Sequence, residues 1–336
     1  MTDLDLDALN AWCATHVRDF RGPVTATKFK GGQSNPTYRL EAASGTYVLR
    51  RKPFGPLLPG AHAVDREFKV LTALHGHGVP VAQPLALCTD DTVIGAVFYV
   101  MAHVDGRILD PSLPDVATAQ RQAYYDEIMR VLGTLHGIDV GAVGLGDFGK
   151  PGNYFERQIA TWTKQYRASE TQHIDAMETL IERLSARCPP DDGRVALVHG
   201  DFRIDNLIWH PLEPRILAVV DWELATLGHP LADLGYFCMA LRLPRNPALP
   251  GLAGLDRTTL GIPDENALIA RYQAHGHRGA IGDWAFVLAF SFFRLAAIAQ
   301  GVAKRAQQGN ASNERAAEAG AMTALLAGLG AQALAE

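Results

Sequence analysis

Asp201 and Asn206 stand five residues apart in the run His199-Gly200-Asp201-Phe202-Arg203-Ile204-Asp205-Asn206, and Asp221 follows Asn206 by fifteen residues, closing the apolar run 216–220. An apolar strand that ends in a carboxylate places charge at a rim, because burying that charge alone would be costly. Two carboxylates and one carboxamide are the hard oxygen ligands and the base that a magnesium–nucleotide site requires. In phosphoryl transfer one carboxylate orients the attacking hydroxyl, and other oxygens hold Mg2+ on the phosphates.

The elements that would position these residues follow from the hydrophobic pattern. A helix over Leu6–Val17 precedes three short strands, Val24–Lys30, Pro36–Ala42 and Thr46–Arg51, separated by Gly31-Gly32 and Ser44-Gly45. Ala63–His75 carries Val64, Phe68, Leu71 and Leu74 on one helical face, and Val93–Met101 reads as an apolar strand. Strand alternation puts Val48, Arg50 and Lys52 on one face, so either basic side chain could meet phosphate, Arg50 bidentately and Lys52 as a point charge. From Pro114 onward helices dominate, over 114–136, 154–168, 173–187, 231–241, 264–275, 283–307 and 311–335, interrupted by a β-rich island at 195–221. The expected class is therefore α+β: a small antiparallel sheet lobe over 1–103 and a mainly helical lobe over 104–336, linked near 104–111.

The motif resembles the aminoglycoside phosphotransferase-like kinases, which use H-G-D-x-x-x-x-N and a later Asp. The resemblance runs through Phe29-Lys30-Gly31-Gly32-Gln33-Ser34-Asn35-Pro36-Thr37-Tyr38, Tyr47–Lys52, the helix holding Glu67, and Phe98–Met101. The wording GGQSNPTY and VLRRK is most similar to the kinase-like domain fused to some acyl-CoA dehydrogenases. The resemblance implies a two-lobed protein-kinase-like fold with Mg2+ and ATP or GTP between the lobes. It implies Asp201 as catalytic base and Asn206 and Asp221 as metal ligands. It also implies Gly31, Gly32, Ser34 and Asn35 in the phosphate-covering loop, and a hinge over Met101–Val104 offering backbone groups to the nucleotide base. The usual Lys of the third strand is Arg50 here, so an Arg50–Glu67 pair would replace the Lys–Glu pair. His199 is read as a ring that hydrogen-bonds backbone and holds the catalytic loop, rather than as a proton carrier. Asp233 resembles the Asp that braces that loop, or else is a first-turn carboxylate favoured by the helix dipole.

Composition narrows the function. Lys+Arg number 31 against 36 Asp+Glu, a net charge of −5, which excludes a dedicated nucleic-acid binder; 48 % hydrophobic residues exclude a disordered chain. The stretch Trp284–Ala299 is interrupted by Arg294 and reads as a buried helix, not a membrane span. The acidic start MTDLDLDALN lacks a signal-peptide pattern, and four scattered cysteines suit reduced thiols, so a cytoplasmic location is expected. The run 144–149 satisfies G-x-G-x-x-G and spells Asp147-Phe148-Gly149, but it follows a helix and precedes His199, so it is read as a turn. Nine Asp or Glu balance nine Lys or Arg from Trp222 to Glu336, so that segment has no net pull on a polycation. The expected acceptor is a hydroxylated small molecule, partly apolar, such as a hydroxy acid or hydroxyacyl compound. A pseudokinase and an aminoglycoside 3'-type phosphotransferase remain the alternatives, and the oligomeric state stays open.

Overall fold

The computed structural model describes residues 4–29, 35–55, 62–245, 250–276, 279–307 and 319–336. In chain order the elements begin with α1 (Leu6–His16), β1 (Thr25–Lys28), β2 (Thr37–Ala42), β3 (Gly45–Arg51), α2 (Val64–Leu74), β4 (Pro84–Cys88) and β5 (Phe98–Ala102). Next come α3 (Thr118–His136), α4 (Tyr154–Ser169), α5 (Asp175–Ala186), β6 (Ala196–Val198), β7 (Leu207–Trp209), β8 (Ile216–Val219) and β9 (Thr226–Gly228). Then follow α6 (Leu231–Met239), α7 (Glu265–Ala274), α8 (Trp284–Gln307) and α9 (Ala319–Ala333), with short 3-10 turns at Ile204–Asn206 and Trp222–Leu224.

The chain divides into two compact units. The first comprises Met1–Ile108, Gly141–Leu145 and Asn206–Ala225; the second comprises Leu109–Val140, Gly146–Asp205 and Thr226–Glu336. Asn206 and Asp221, which a linear division at 103/104 assigns to the second part, thus pack with the first. The cause is a non-local pairing. Arg107 and Trp209 exchange two backbone hydrogen bonds at 2.9 and 2.8 Å, tying the β7–β8 hairpin to the linker. Gly106 permits this approach, since a Cβ there would lie 2.5 Å from the Trp209 carbonyl oxygen.

In the first unit an antiparallel sheet runs in the order β1-β2-β3-β5-β4. The period-two pattern of β2 buries Tyr38 and Leu40 and leaves Arg39 and Glu41 exposed. Leu9, Cys13 and Val17 from α1 and beyond it pack on Tyr38, Leu40, Leu49, Phe98 and Val100 to make one apolar core. α2 buries Val64, Val70, Leu71 and Leu74 along one stripe, and Glu67 is the single charged residue in that stripe. A charged side chain in an apolar stripe has to be paired, and its partner marks the site.

Two strand expectations are corrected. The stretch 93–97 is a turn, not the start of β5, because Gly95 takes φ +80°. β4 was not anticipated, since Pro84 opens it. It lies at the sheet edge, where a residue without an N–H is tolerated.

In the second unit helices surround α8, whose Phe286, Phe290 and Phe292 are buried. α8 packs against α4, α5, α6 and α9. Among the described residues it is the one helix long and apolar enough to cross a membrane, and most of its apolar window is buried within this unit. The last helix spans 319–333; residues 311–318 of its expected range lie outside the described residues.

Candidate active site

The first unit holds a cavity of about 480 Å³ lined by Val48, Arg50, Glu67, Met101, Asn206 and Asp221, among others. β3 presents Arg50 into it with its side chain 12 % exposed. The guanidinium meets three carboxylates: Nε lies 2.8 Å from Glu67 Oε2, Nη2 donates to Asp221 Oδ1 at 2.7 Å, and Nη2 lies 3.6 Å from Glu223 Oε2. The expected Arg50–Glu67 contact is therefore present. Glu67 is further held by Asn35 Nδ2 donating to Oε1 at 2.9 Å and by the Tyr99 hydroxyl donating to Oε2 at 3.1 Å. Burial pushes the Glu67 carboxyl up; Arg50 opposes this, Asp221 adds to it, and the result is about 7. Burial works against the Arg50 charge, but Glu67 and the other carboxylates outweigh it and hold the guanidinium above its usual range.

Asp221 follows β8 with φ +69°, a left-handed conformation uncommon for a residue with a Cβ but several-fold enriched in Asp. That turn aims its carboxylate back toward Arg50. Asn206, 8 % exposed, lines the same cavity, and its carbonyl accepts from the Val220 N–H at 3.0 Å, which links the two segments. Carboxylate and carboxamide oxygens on one cavity wall are a donor set of the type that Mg2+ accepts, and an adjacent guanidinium suits phosphate.

The second unit carries the loop 199–205. His199 is fully buried, and its Nδ1 accepts from the Asp201 N–H at 3.1 Å, so a neutral ring carries its proton on Nε2. Asp233, the third residue of α6 and also buried, accepts from the backbone N–H of His199 at 2.6 Å and of Gly200 at 2.9 Å. His136 Nε2 adds a third contact to Asp233 at 3.2 Å, while the Tyr272 hydroxyl reaches His136 Nδ1 at 2.6 Å. Burial raises the Asp233 carboxyl, but the hydrogen bond and charge of His136 and the charge of His199 outweigh it and hold it below the usual carboxylate range. Of the two readings of Asp233, bracing of the loop is the one the geometry presents. Asp201 itself keeps its side chain 20 % exposed; Arg203 Nε stands 3.7 Å away, and the Tyr236 hydroxyl hydrogen-bonds to it.

The remaining expected residues distribute unevenly. Gly31, Gly32 and Ser34 lie outside the described residues. Asn35, expected in the phosphate-covering loop, is fully buried and spends its amide on Glu67 and on His62 Nδ1 at 3.1 Å. Lys52 follows β3 and turns to Asp65 at 3.4 Å, away from the cavity lining, so Arg50 is the basic side chain of this strand that the cavity receives. Met101 and Val104 both line the cavity. Glu223, Tyr99 and His136 were not anticipated. Glu223 sits two residues past Asp221, a proximity that could have flagged it, whereas nothing local marks Tyr99 or His136.

Residues 25–286 match the family described as the phosphotransferase enzyme family, and the chain belongs to that family. Among its relatives, acyl-CoA dehydrogenase family member 10 of Mus musculus is 48 % identical over 310 residues, covering 92 % of this chain and 29 % of that protein. Family member 11 of Rattus norvegicus is 44 % identical over 316 residues, covering 92 % of this chain and 41 % of that protein. The chain thus spans under half the length of these relatives. A solved structure from Ralstonia eutropha, described only provisionally as an aminoglycoside phosphotransferase, matches with TM-score 0.90 and 48 % identity over 99 % of this chain and 98 % of that one. Spectinomycin phosphotransferase APH(9)-Ia, solved with ADP and spectinomycin, shares the fold at TM-score 0.64 and 14 % identity, each chain 98 % covered. The fold is α+β and kinase-like, as the motif implied.

Proposed function

We propose that the chain transfers the γ-phosphoryl group of a Mg2+-bound nucleoside triphosphate to a hydroxyl of a small metabolite. The observation that carries this reading is the cavity that gathers Arg50, Glu67, Asn206 and Asp221 in the first unit. Asn206 and Asp221 would hold Mg2+, which when bound supplies charge neutralisation on the phosphates. Arg50, fixed by Glu67, gives the phosphates a bidentate cation at the place where protein kinases carry a Lys, a point charge. Met101 and Val104 line the part of the cavity that would take the base of ATP or GTP. Asp201 accepts the proton of the acceptor hydroxyl. His199 and Asp233 hold its loop so that the carboxylate does not have to be ordered during the reaction.

The acceptor class is a hydroxy acid or hydroxyacyl compound. Support comes from the zero charge balance after Trp222 and from relatives that carry this chain's counterpart inside acyl-CoA dehydrogenase family proteins. The four cysteines are all free, in keeping with a reducing compartment. The test is turnover with MgATP and MgGTP against hydroxy acids, hydroxyacyl thioesters and kanamycin-type aminoglycosides. Phosphorylation of the first two groups supports the reading. Nucleotide binding with no acceptor turned over indicates a pseudokinase, and preferred phosphorylation of an aminoglycoside overturns the acceptor class.

A further inference from the structure

Arg294 is a cation in an unusual setting. It lies on α8 in the second unit and is only 6 % exposed. Its guanidinium carbon stands 5.4 Å from the Trp162 ring centre and 5.3 Å from that of Tyr236. No carboxylate, carbonyl or hydroxyl among the described residues accepts a hydrogen bond from it. The other buried arginines behave differently. Arg51 donates to the Lys52 carbonyl and the Tyr38 hydroxyl, and Arg121 donates to the carbonyls of Val116 and Leu260. Two nearby rings offset part of the cost of burying a guanidinium, but ring contacts do not use its N–H donors.

The position of Arg294 gives this a meaning. Tyr236 shares its ring with Arg294 and its hydroxyl with Asp201. Arg203 flanks the same carboxylate. Beside them, Tyr236 and Arg203 line a recess whose other walls include Leu241, Leu243, Leu252 and Leu295. One phenol therefore separates the expected base from a cation that finds no hydrogen-bond acceptor among the described residues, next to an apolar wall.

We propose that Arg294, held over the rings of Trp162 and Tyr236, is an anion-recognising residue that selects acceptors carrying a carboxylate or phosphate beside an aliphatic segment. This rests on the reading of Asp201 as the base that faces the acceptor. A planar guanidinium with free donors matches the oxygen pair of either group.

The test measures binding without nucleotide, so that it stands apart from turnover. Hydroxyoctanoate, its methyl ester, and hydroxyoctanoyl pantetheine with and without a terminal phosphate are titrated calorimetrically into the wild type and Arg294→Gln. The wild type is expected to prefer one anionic ligand over its neutral counterpart by roughly 10- to 100-fold, and Arg294→Gln to abolish that preference. Which pair shows the preference tells carboxylate from phosphate. Binding of the preferred ligand should also change Trp162 emission, a change absent in Trp162→Phe. Equal binding of charged and neutral ligands, no binding of either, or a preference that survives Arg294→Gln overturns the proposal. Should Arg294→Gln fail to fold, Arg294→Lys serves: it keeps the charge without the fork and is expected to lose part of the preference, and an unchanged preference overturns the proposal. A preference without turnover in the presence of MgATP would leave this inference standing and remove the kinase reading; turnover without a preference would do the reverse.

Discussion

Removing Arg50 separates the electrostatics of the first unit from its packing. Arg50→Ala leaves Glu67, 3 % exposed, with Asn35 and Tyr99 as its donors among the described residues and with the carboxylates of Asp221 and Glu223 as acidic neighbours. Breaking a buried ion pair by removing one partner costs about 3–5 kcal/mol, because a buried charge is left alone. Glu67 can escape part of that by taking a proton, which its already raised carboxyl does readily. The loss should therefore be largest above neutral pH and shrink toward pH 5. Urea unfolding of the wild type, Arg50→Ala, Glu67→Gln and the double variant measures this. Adding Glu67→Gln to Arg50→Ala should recover roughly 2 kcal/mol or more at pH 8, since the amide removes the stranded charge at equal size. A loss under about 1 kcal/mol, flat with pH and unaffected by Glu67→Gln, is the behaviour of a surface pair and would refute the reasoning.

Four further outcomes follow from the same structure. Glu67 has a folded value of about 7 against an ordinary 4.5, so between those values the folded state holds a proton that the unfolded state has lost. Its contribution to stability is complete below about pH 4.5 and is lost as pH rises through 7, an effect on the order of 3 kcal/mol, and the pH slope of unfolding should flatten in Glu67→Gln. Asp233→Ala strands the buried N–H groups of His199 and Gly200 and should cost roughly 2–5 kcal/mol in urea unfolding, whereas an exposed first-turn carboxylate would cost under about 1. Asp221→Ala removes a cavity carboxylate and no core volume, so calorimetry should show Mg2+-dependent nucleotide binding lost while the unfolding midpoint stays near that of the wild type; Asn206→Ala should weaken binding less, its ligand being neutral.

Much of this arrangement was readable from residue order. His199–Asn206 and Asp221 announce themselves because chemistry-bearing types at fixed offsets are rare, whereas Glu67 and its pairing with Arg50 came from the resemblance to kinases. Alternation along β3 carried Arg50 to the correct face, but it carried Lys52 there too. Lys52 lies one residue past the strand, where alternation no longer binds it, and it turned to Asp65. Asn35 read as a loop residue because neither of its partners, Glu67 and His62, is local. The same limit hid the attachment of β7–β8 to the first unit through Arg107 and Trp209, the third carboxylate at Arg50, and the rings that enclose Arg294. Each depends on residues tens to hundreds of positions apart, and such pairings leave no periodic trace.

The central claim is that Asp201 accepts a proton from an acceptor hydroxyl during phosphoryl transfer. It is tested most directly by comparing the wild type with Asp201→Asn. The assay follows acceptor-dependent ADP release and the phosphorylated product by mass, with nucleotide affinity measured in parallel. The amide keeps the size of the carboxylate and loses its basicity. Turnover should therefore fall by about 10²- to 10⁴-fold with nucleotide affinity unchanged. Near-native turnover in Asp201→Asn would contradict the account.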